Sequence, residues 1–243
     1  MRGSACRKAA TFIATLLAAT TLMPAATALA APVQPGAAQA GPVGPAVASK
    51  WSIQPTPDAT VLNSQIQAVS CSAATDCTAV GQYTNAQGQP VALAESWDGT
   101  TWQQQPTPGL ALSTPVLLGV SCPTADFCEA VGGGVAHDGA RELLVAEVWN
   151  GTSWRVQAIP GSATSSYTSV ACASADFCVA VGVAAQIAVW NGTSWSAQAT
   201  PTPAGGYPGL LDSVSCASAD FCEAVGSYPG ASGLSQTLAE AGD

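Results

Sequence analysis

Val69-Ser70-Cys71-Ser72-Ala73-Ala74-Thr75-Asp76-Cys77-Thr78-Ala79-Val80-Gly81 decides the fold, because the chain writes the same stretch three more times. It returns from Val120-Ser121-Cys122 to Cys128-Glu129-Ala130-Val131-Gly132, from Val170-Ala171-Cys172 to Val181-Gly182, and from Val214-Ser215-Cys216 to Val225-Gly226. A second motif interleaves with the first: Ser96-Trp97-Asp98-Gly99-Thr100-Thr101-Trp102, Val148-Trp149-Asn150-Gly151-Thr152-Ser153-Trp154, and Val189-Trp190-Asn191-Gly192-Thr193-Ser194-Trp195. Self-similarity at a period of about 40 to 50 residues is the signature of a repeat architecture.

Each unit reads as four short strands. The first ends at Val-Ser-Cys, the second runs Cys-x-Ala-Val-Gly, the third is Leu-Ala-Glu-x-Trp or a relative, and the fourth begins at Thr-Ser-Trp. β-Branched and aromatic content with Gly and Pro punctuation favours strands over helices. Asn150-Gly151 and Asn191-Gly192, with Asp98-Gly99 in the same place, read as two-residue type I′ hairpin turns, whose central positions take positive φ. The expected fold is therefore all-β: a propeller of four blades with four strands each. Trp51-Ser52-Ile53-Gln54-Pro55-Thr56-Pro57 matches the fourth strand and its exit, Trp102 to Pro108, yet precedes any first strand. Thr237-Leu238-Ala239-Glu240 supplies a third strand near the end of the sequence. The N-terminal strand is thus expected to complete the last blade and close the ring, leaving no sheet edge exposed. An open array or part of a larger ring is the alternative.

The 243 residues carry 6 Lys plus Arg against 15 Asp plus Glu, a formal net charge of -9. So few cations argue against nucleic acid and anionic membrane surfaces as partners. Arg2, Arg7 and Lys8 ahead of the apolar run Ala9 to Leu22, with Ala28-Leu29-Ala30 behind it, read as a signal peptide over residues 1–30. Residues 31–49 read as an Ala/Pro/Gly-rich linker and 50–243 as the repeat domain. Loss of the leader would leave Lys50, Arg141 and Arg155 as the basic residues. A secreted, extracellular, monomeric protein without metal or cofactor is expected.

Cys6 lies in the leader; the other eight cysteines form four Cys-x5-Cys pairs. Eight cysteines allow many connectivities, and in an exported chain the repeat favours four local bridges: Cys71 to Cys77, Cys122 to Cys128, Cys172 to Cys178, and Cys216 to Cys222. The spacings of zinc and redox sites are absent.

With these motifs, residues 51 to 241 resemble a family of repeat proteins from secreted actinobacterial proteomes. The unit of that family runs Val-Ser-Cys-x5-Cys-x-Ala-Val-Gly and then Ala-Glu-x-Trp-Asn-Gly-Thr-Ser-Trp. The resemblance implies a propeller, kelch-like in its repetition, and export; it implies no activity. The Trp-Asn-Gly-Thr-Ser-Trp piece is also similar to the Asp-box of sialidases and related propellers, Ser-x-Asp-x-Gly-x-Thr-Trp. It departs by one residue, only Asp98 supplies the acid, and the Asp-box is a structural turn in those families.

A sialidase-like site grips a carboxylate with three arginines, and Arg141 and Arg155 fall short of that number. His137 is the single histidine, sits in a Gly-rich stretch, and has no Gly-x-Ser-x-Gly elbow for company. Paired carboxylates suffice for glycoside hydrolysis. Glu95, Glu147 and Glu240 recur before the third-strand Trp position, however, and Glu129 and Glu223 recur after the second cysteine. Recurrence in blade after blade is what a structural role produces, whereas catalysis needs one asymmetric place.

The segments that differ between repeats, Gln82 to Pro90, Pro106 to Pro115, Gly133 to Arg141, Pro160 to Thr168, Pro201 to Gly209 and Ser227 to Gln236, are expected on one face. They carry Tyr83, His137, Arg141, Tyr167, Tyr207 and Tyr228 as candidate ligand-binding residues, tyrosine offering rigid contact area with a polar tip. The function expected is a non-catalytic binding or interaction module for an extracellular glycan or protein. A carboxylate-based glycan hydrolase and an envelope or matrix structural protein are the alternatives.

Overall fold

The computed structural model describes residues 51–57, 62–110, 112–161, 166–203 and 208–242. The leader and linker read over 1–49 lie outside them. Residues 52–243 form one compact unit. Its described part is four antiparallel sheets, each following the order of the chain. Blade 1 is β1 (Leu62–Ala73), β2 (Asp76–Thr84), β3 (Pro90–Trp97) and β4 (Trp102–Gln105). Blade 2 is β5 (Val116–Thr124), β6 (Phe127–Val135), β7 (Glu142–Trp149) and β8 (Trp154–Gln157). Blade 3 is β9 (Tyr167–Ser174), β10 (Phe177–Gly182), β11 (Ile187–Trp190) and β12 (Trp195–Gln198), and blade 4 is β13 (Leu210–Ser218), β14 (Phe221–Pro229) and β15 (Ser235–Gly242). The chain is a four-bladed β-propeller array.

The repeated residues are repeated because the backbone needs them. In blade 2 the β5–β6 register shifts between Leu117 and Gly119, and β5 crosses tightly over Gly132. A Cβ there would sit 2.0 Å from the Val116 carbonyl oxygen, and Gly81, Gly182 and Gly226 meet β1, β9 and β13 in the same way. Only glycine fits such a close approach. The cysteines of three blades are direct cross-strand partners, Cys71 with Cys77, Cys172 with Cys178 and Cys216 with Cys222. All four bridges expected from the repeat are formed, including Cys122 to Cys128.

The core lies between blades. Val80, Ala92 and Ala94 of blade 1 pack on Leu117, Val120 and Trp154 of blade 2. Val131 and Ala146 pack on Tyr167, Val170 and Trp195 of blade 3, and Val179 and Val181 pack on Leu211 and Val214 of blade 4. A sheet buries a face only against another layer, so each blade depends on its neighbours.

Three expectations are corrected. Blade 4 has three strands, and residues 51–57 are irregular and do not pair with β15. Gln54 instead accepts a hydrogen bond from Trp102 Nε1 at 3.2 Å, which holds this segment beside blade 1. Second, the Asn-Gly turns are four-residue loops between paired tryptophans, such as Trp149 and Trp154. Gly99, Gly151 and Gly192 have positive φ, while Asp98, Asn150 and Asn191 do not. Asn150 Oδ1 takes the Thr152 and Ser153 backbone N–H groups at 3.1 and 3.0 Å, so the side chain, not a left-handed backbone, makes the turn. Third, the second and third strands run into the segments read as variable loops. Five-residue tips remain in blades 1 and 4, where Asn85 N–H donates to Gln89 O and Gly230 N–H to Leu234 O. Blade 3 omits this extension and turns through Val183–Ala185, which accounts for its shorter repeat.

Candidate functional site

Loops cluster at the two ends of each blade, and the ends differ. At one end lie the stapled hairpins and the Asx loops, in contact with each other: a Cβ on Gly151 would stand 3.0 Å from Asp126 Oδ1, and one on Gly192 would stand 2.9 Å from Asp176 Oδ1. The third-strand tryptophans donate to the stapled turns of their own blades, Trp97 to Ala74 O, Trp149 to Ala125 O and Trp190 to Ala175 O, at 3.0–3.3 Å. The fourth-strand tryptophans donate backward across the blade boundary, Trp154 to Gln105 Oε1 and Trp195 to Gln157 Oε1, each at 2.7 Å. These tryptophans are committed to holding the scaffold.

The opposite end carries the hairpin tips and the blade-to-blade connections, and the clefts among its described residues include two lined by candidate residues. The first, about 430 Å³, is walled by Gly88 to Ala92 of blade 1, by Pro108, Leu110, Leu112 and Pro115 of the connection to blade 2, and by His137. The second, about 510 Å³ and shallower, lies between the Val183–Ala184 turn, Pro208 to Leu210 and Tyr228. Ala184 and Ala185 hold φ of 60° and 50°, left-handed backbone that L-residues adopt at a cost.

The five candidate residues among the described ones do not converge on one place. His137 is exposed on its hairpin tip and lines the first cleft. Arg141 closes the same tip and pairs with Asp138 at 3.3 Å. The Ala140 backbone N–H first, then the Arg141 charge, holds the Asp138 carboxyl below its ordinary range. Tyr228 lines the second cleft, its hydroxyl donating to Gln236 Oε1 at 2.6 Å. Tyr83 is half-buried on β2 and lines neither cleft. Tyr207 lies outside the described residues.

Tyr167 is a correction: it is 1% exposed in the core between blades 2 and 3. Its hydroxyl donates to Pro160 O at 2.5 Å, and burial pushes its pKa up to about 12. One period earlier the same position is Leu117, which is the signal that it is a packing residue. The apolar wall of the first cleft, Pro90, Leu110 and Leu112, was not singled out in the sequence. The recurring Pro-Thr-Pro exit from the fourth strand was its trace: Thr107 Oγ1 donates to Ala92 O at 2.8 Å and fixes that connection.

Of the recurring carboxylates, Glu95, Glu129, Glu147 and Glu240 are buried and Glu223 is exposed. Glu129 and Glu147 are fully buried in blade 2. Glu147 is the cross-strand partner of Ala130, the residue next to Glu129, so the two acids point to opposite faces of the sheet. Burial pushes each carboxyl up to about 8, the Gln157 side chain opposing the rise at Glu129. Two acids separated by a sheet cannot flank one glycosidic bond. No cluster of His, Cys, Asp and Glu suited to a metal ion occurs among the described residues, and no helix there is long and apolar enough to cross a membrane.

No family model matches the chain, and no curated protein matches it. Among solved structures, "YCF48 bound to D1 peptide" is 17% identical at a TM-score of 0.49, over 76% of this chain and 53% of that one. The RRP9 WD40 repeats are 12% identical at 0.42, over 72% and 66%. The WD40 propeller of Doa1 is 11% identical at 0.35, over 74% and 67%. This chain therefore spans about half the length of the first. These are likenesses of fold.

Proposed function

We propose that the chain is a secreted, non-catalytic interaction propeller that holds a peptide segment of an extracellular protein in the cleft beside His137. The observation that carries this reading is the division of labour between the ends of the blades. The tryptophans and Asx side chains at the stapled end bond to the scaffold, while the Pro- and Leu-walled cleft with its exposed histidine lies at the other. Binding surfaces are characteristically loops held by a rigid scaffold. Prolines and leucines favour apolar side chains of a peptide over a sugar, which calls for aromatic platforms and dense hydrogen-bonding groups. Export rests on the leader pattern and agrees with four bridged cysteine pairs.

The test is capture of extracellular proteins and a glycan array, run in parallel with the native chain and with a His137→Ala, Leu112→Ser double variant. Loss of captured protein by about tenfold or more in the variant supports the cleft, in line with the contribution of a few anchor residues to an interface. Undiminished capture rejects it. Binding on the glycan array alone would select a lectin-like role. Hydrolysis of a polysaccharide abolished by one Asp or Glu substitution would select an enzyme.

A further inference from the structure

The two outer faces of the array are built like the buried ones. Ile66 and Val69 of blade 1 occupy the positions of Leu117 and Val120 in blade 2 and of Leu211 and Val214 in blade 4. Those four are 0–8% exposed, whereas Ile66 is 44% and Val69 59% exposed. On the other side, Val225 of blade 4 occupies the position of Val80, Val131 and Val181, each fully buried, and is 48% exposed. Phe221, at the position of Phe127 and Phe177, is also exposed.

Between blades 3 and 4 the pattern breaks a second time. In the earlier boundaries a tryptophan opening the fourth strand of the later blade fills the gap and donates to the glutamine ending the fourth strand of the earlier one. Beside β15 this place is a cleft of about 360 Å³ lined by Val179, Ile187, Ala224, Glu240 and Gln198. Gln198 is the glutamine next in the series, and it is exposed where Gln105 and Gln157 are half-buried. The chain carries one Trp-x-x-Gln segment outside a strand, Trp51-Ser52-Ile53-Gln54. Its Gln54 already receives Trp102 of its own blade 1, and Trp51 and Ile53 are fully exposed.

We propose that two copies join head to tail, the Trp51–Gln54 segment of each forming the fourth strand of the other's blade 4, so that eight blades close one ring. Eight is within the range of propeller sizes, and closure removes the sheet edge at β15. Trp51 fills the cleft and donates to Gln198 of the other copy. The register follows that of blade 2, where Trp149 and Val148 face Trp154 and Arg155. Gly242 then faces Trp51 and Ala241 faces Ser52. Val225 and Phe221 of one copy cover Ile66 and Val69 of the other. Ser215 of the first takes the Cys71 N–H of the second, as Ser70 takes Cys122 and Ser121 takes Cys172, each at 2.9 Å. Gln54 keeps its bond to Trp102 in this arrangement. This arrangement would make the protein a dimer where a monomer is expected from the sequence.

The experiment is sedimentation equilibrium of the full chain, with Ser52→Cys and Ala241→Cys introduced together for non-reducing electrophoresis and peptide mapping. The expected result is a dimer in which the thiol introduced by Ser52→Cys in one copy is bridged to the thiol introduced by Ala241→Cys in the other. Trp51→Ala should raise the dimer dissociation constant on the order of a hundredfold and Gln198→Leu about tenfold, as loss of an aromatic anchor and of one hydrogen bond. The far-ultraviolet spectrum should stay unchanged, because Trp51 is exposed in the single chain. A monomer at all concentrations overturns the proposal. So do a bridge formed within one chain, an open-ended polymer, and a dimer indifferent to Trp51→Ala.

Discussion

One carboxylate or carboxamide oxygen makes each Asx loop. Asp98 Oδ1 receives the Thr100 hydroxyl and the Thr100 and Thr101 backbone N–H groups at 2.7–2.8 Å, and Asn150 and Asn191 repeat the arrangement with an uncharged oxygen. Asn150→Ala should therefore cost about 1–2 kcal/mol, the range for a side chain that satisfies orphan backbone donors, read as a lower urea midpoint. Asp98 differs in being titratable. The Thr100 hydroxyl bond, followed by the two backbone bonds, holds its carboxyl far below the ordinary range. A group whose pKa is depressed by folding contributes stability above its unfolded value and loses it as pH falls toward the folded one. Asp98→Asn should thus match the native midpoint at neutral pH and exceed it in acid, because the amide cannot be protonated out of its bonds. Equal acid sensitivity of the two proteins would refute this account of the loop.

Blade 2 holds the heaviest electrostatic load of any element, with Glu129 on one face and Glu147 on the other. Neither Glu147 oxygen has a hydrogen-bond partner among the described residues. Both carboxyls are pushed by burial to about 8 from an ordinary 4.5. The sign is opposite to that of Asp98: the folded blade favours the protonated acids, so the contribution of these two groups is fully present below about 4.5 and is lost as pH rises through 8. The melting temperature should fall between pH 5 and 9, and Glu129→Gln with Glu147→Gln should flatten that fall, measured by calorimetry. The sequence showed these acids as recurring and left their depth unseen, since depth depends on which face of a strand meets a neighbouring blade. Strand order, staples and the single-residue requirements of the Val-Gly positions were legible because each recurs with the period. Tyr167 was misplaced because a polar-tipped aromatic after a Pro- and Ser-rich stretch resembles a loop residue, although its position is that of Leu117. The turn type was misread because Asn-Gly chemistry is shared by type I′ turns and by Asx loops, which the residue pair alone does not distinguish.

At the scale of the molecule, stability is a sum over blades and the three boundaries between them, as in any linear repeat. Blades 2 and 3 have two neighbours each, while blade 1 leaves Ile66 and Val69 in water and blade 4 leaves Val225 and Phe221. Removing apolar surface from water contributes about 25 cal/mol per Å², so each uncovered face is a deficit borne by an end blade alone. Amide hydrogen exchange on the single chain should accordingly be slowest in β6 and β10 and faster in β2 and β14, although all four are second strands with the same staple. Local opening follows buried apolar contact rather than hydrogen-bond number. Trp154→Ala should widen the gradient by uncoupling blade 1 from blade 2 at a cost of about 3–5 kcal/mol, the range for a buried tryptophan. If two copies close an eight-bladed ring, raising the protein concentration should slow exchange in β2 and β14 toward the rates of β6 and β10. In Trp51→Ala the same increase should leave the gradient as it is. Equal protection in all four strands at high dilution would mean that the end blades do not depend on a neighbour, and the stacking energetics would be wrong with it.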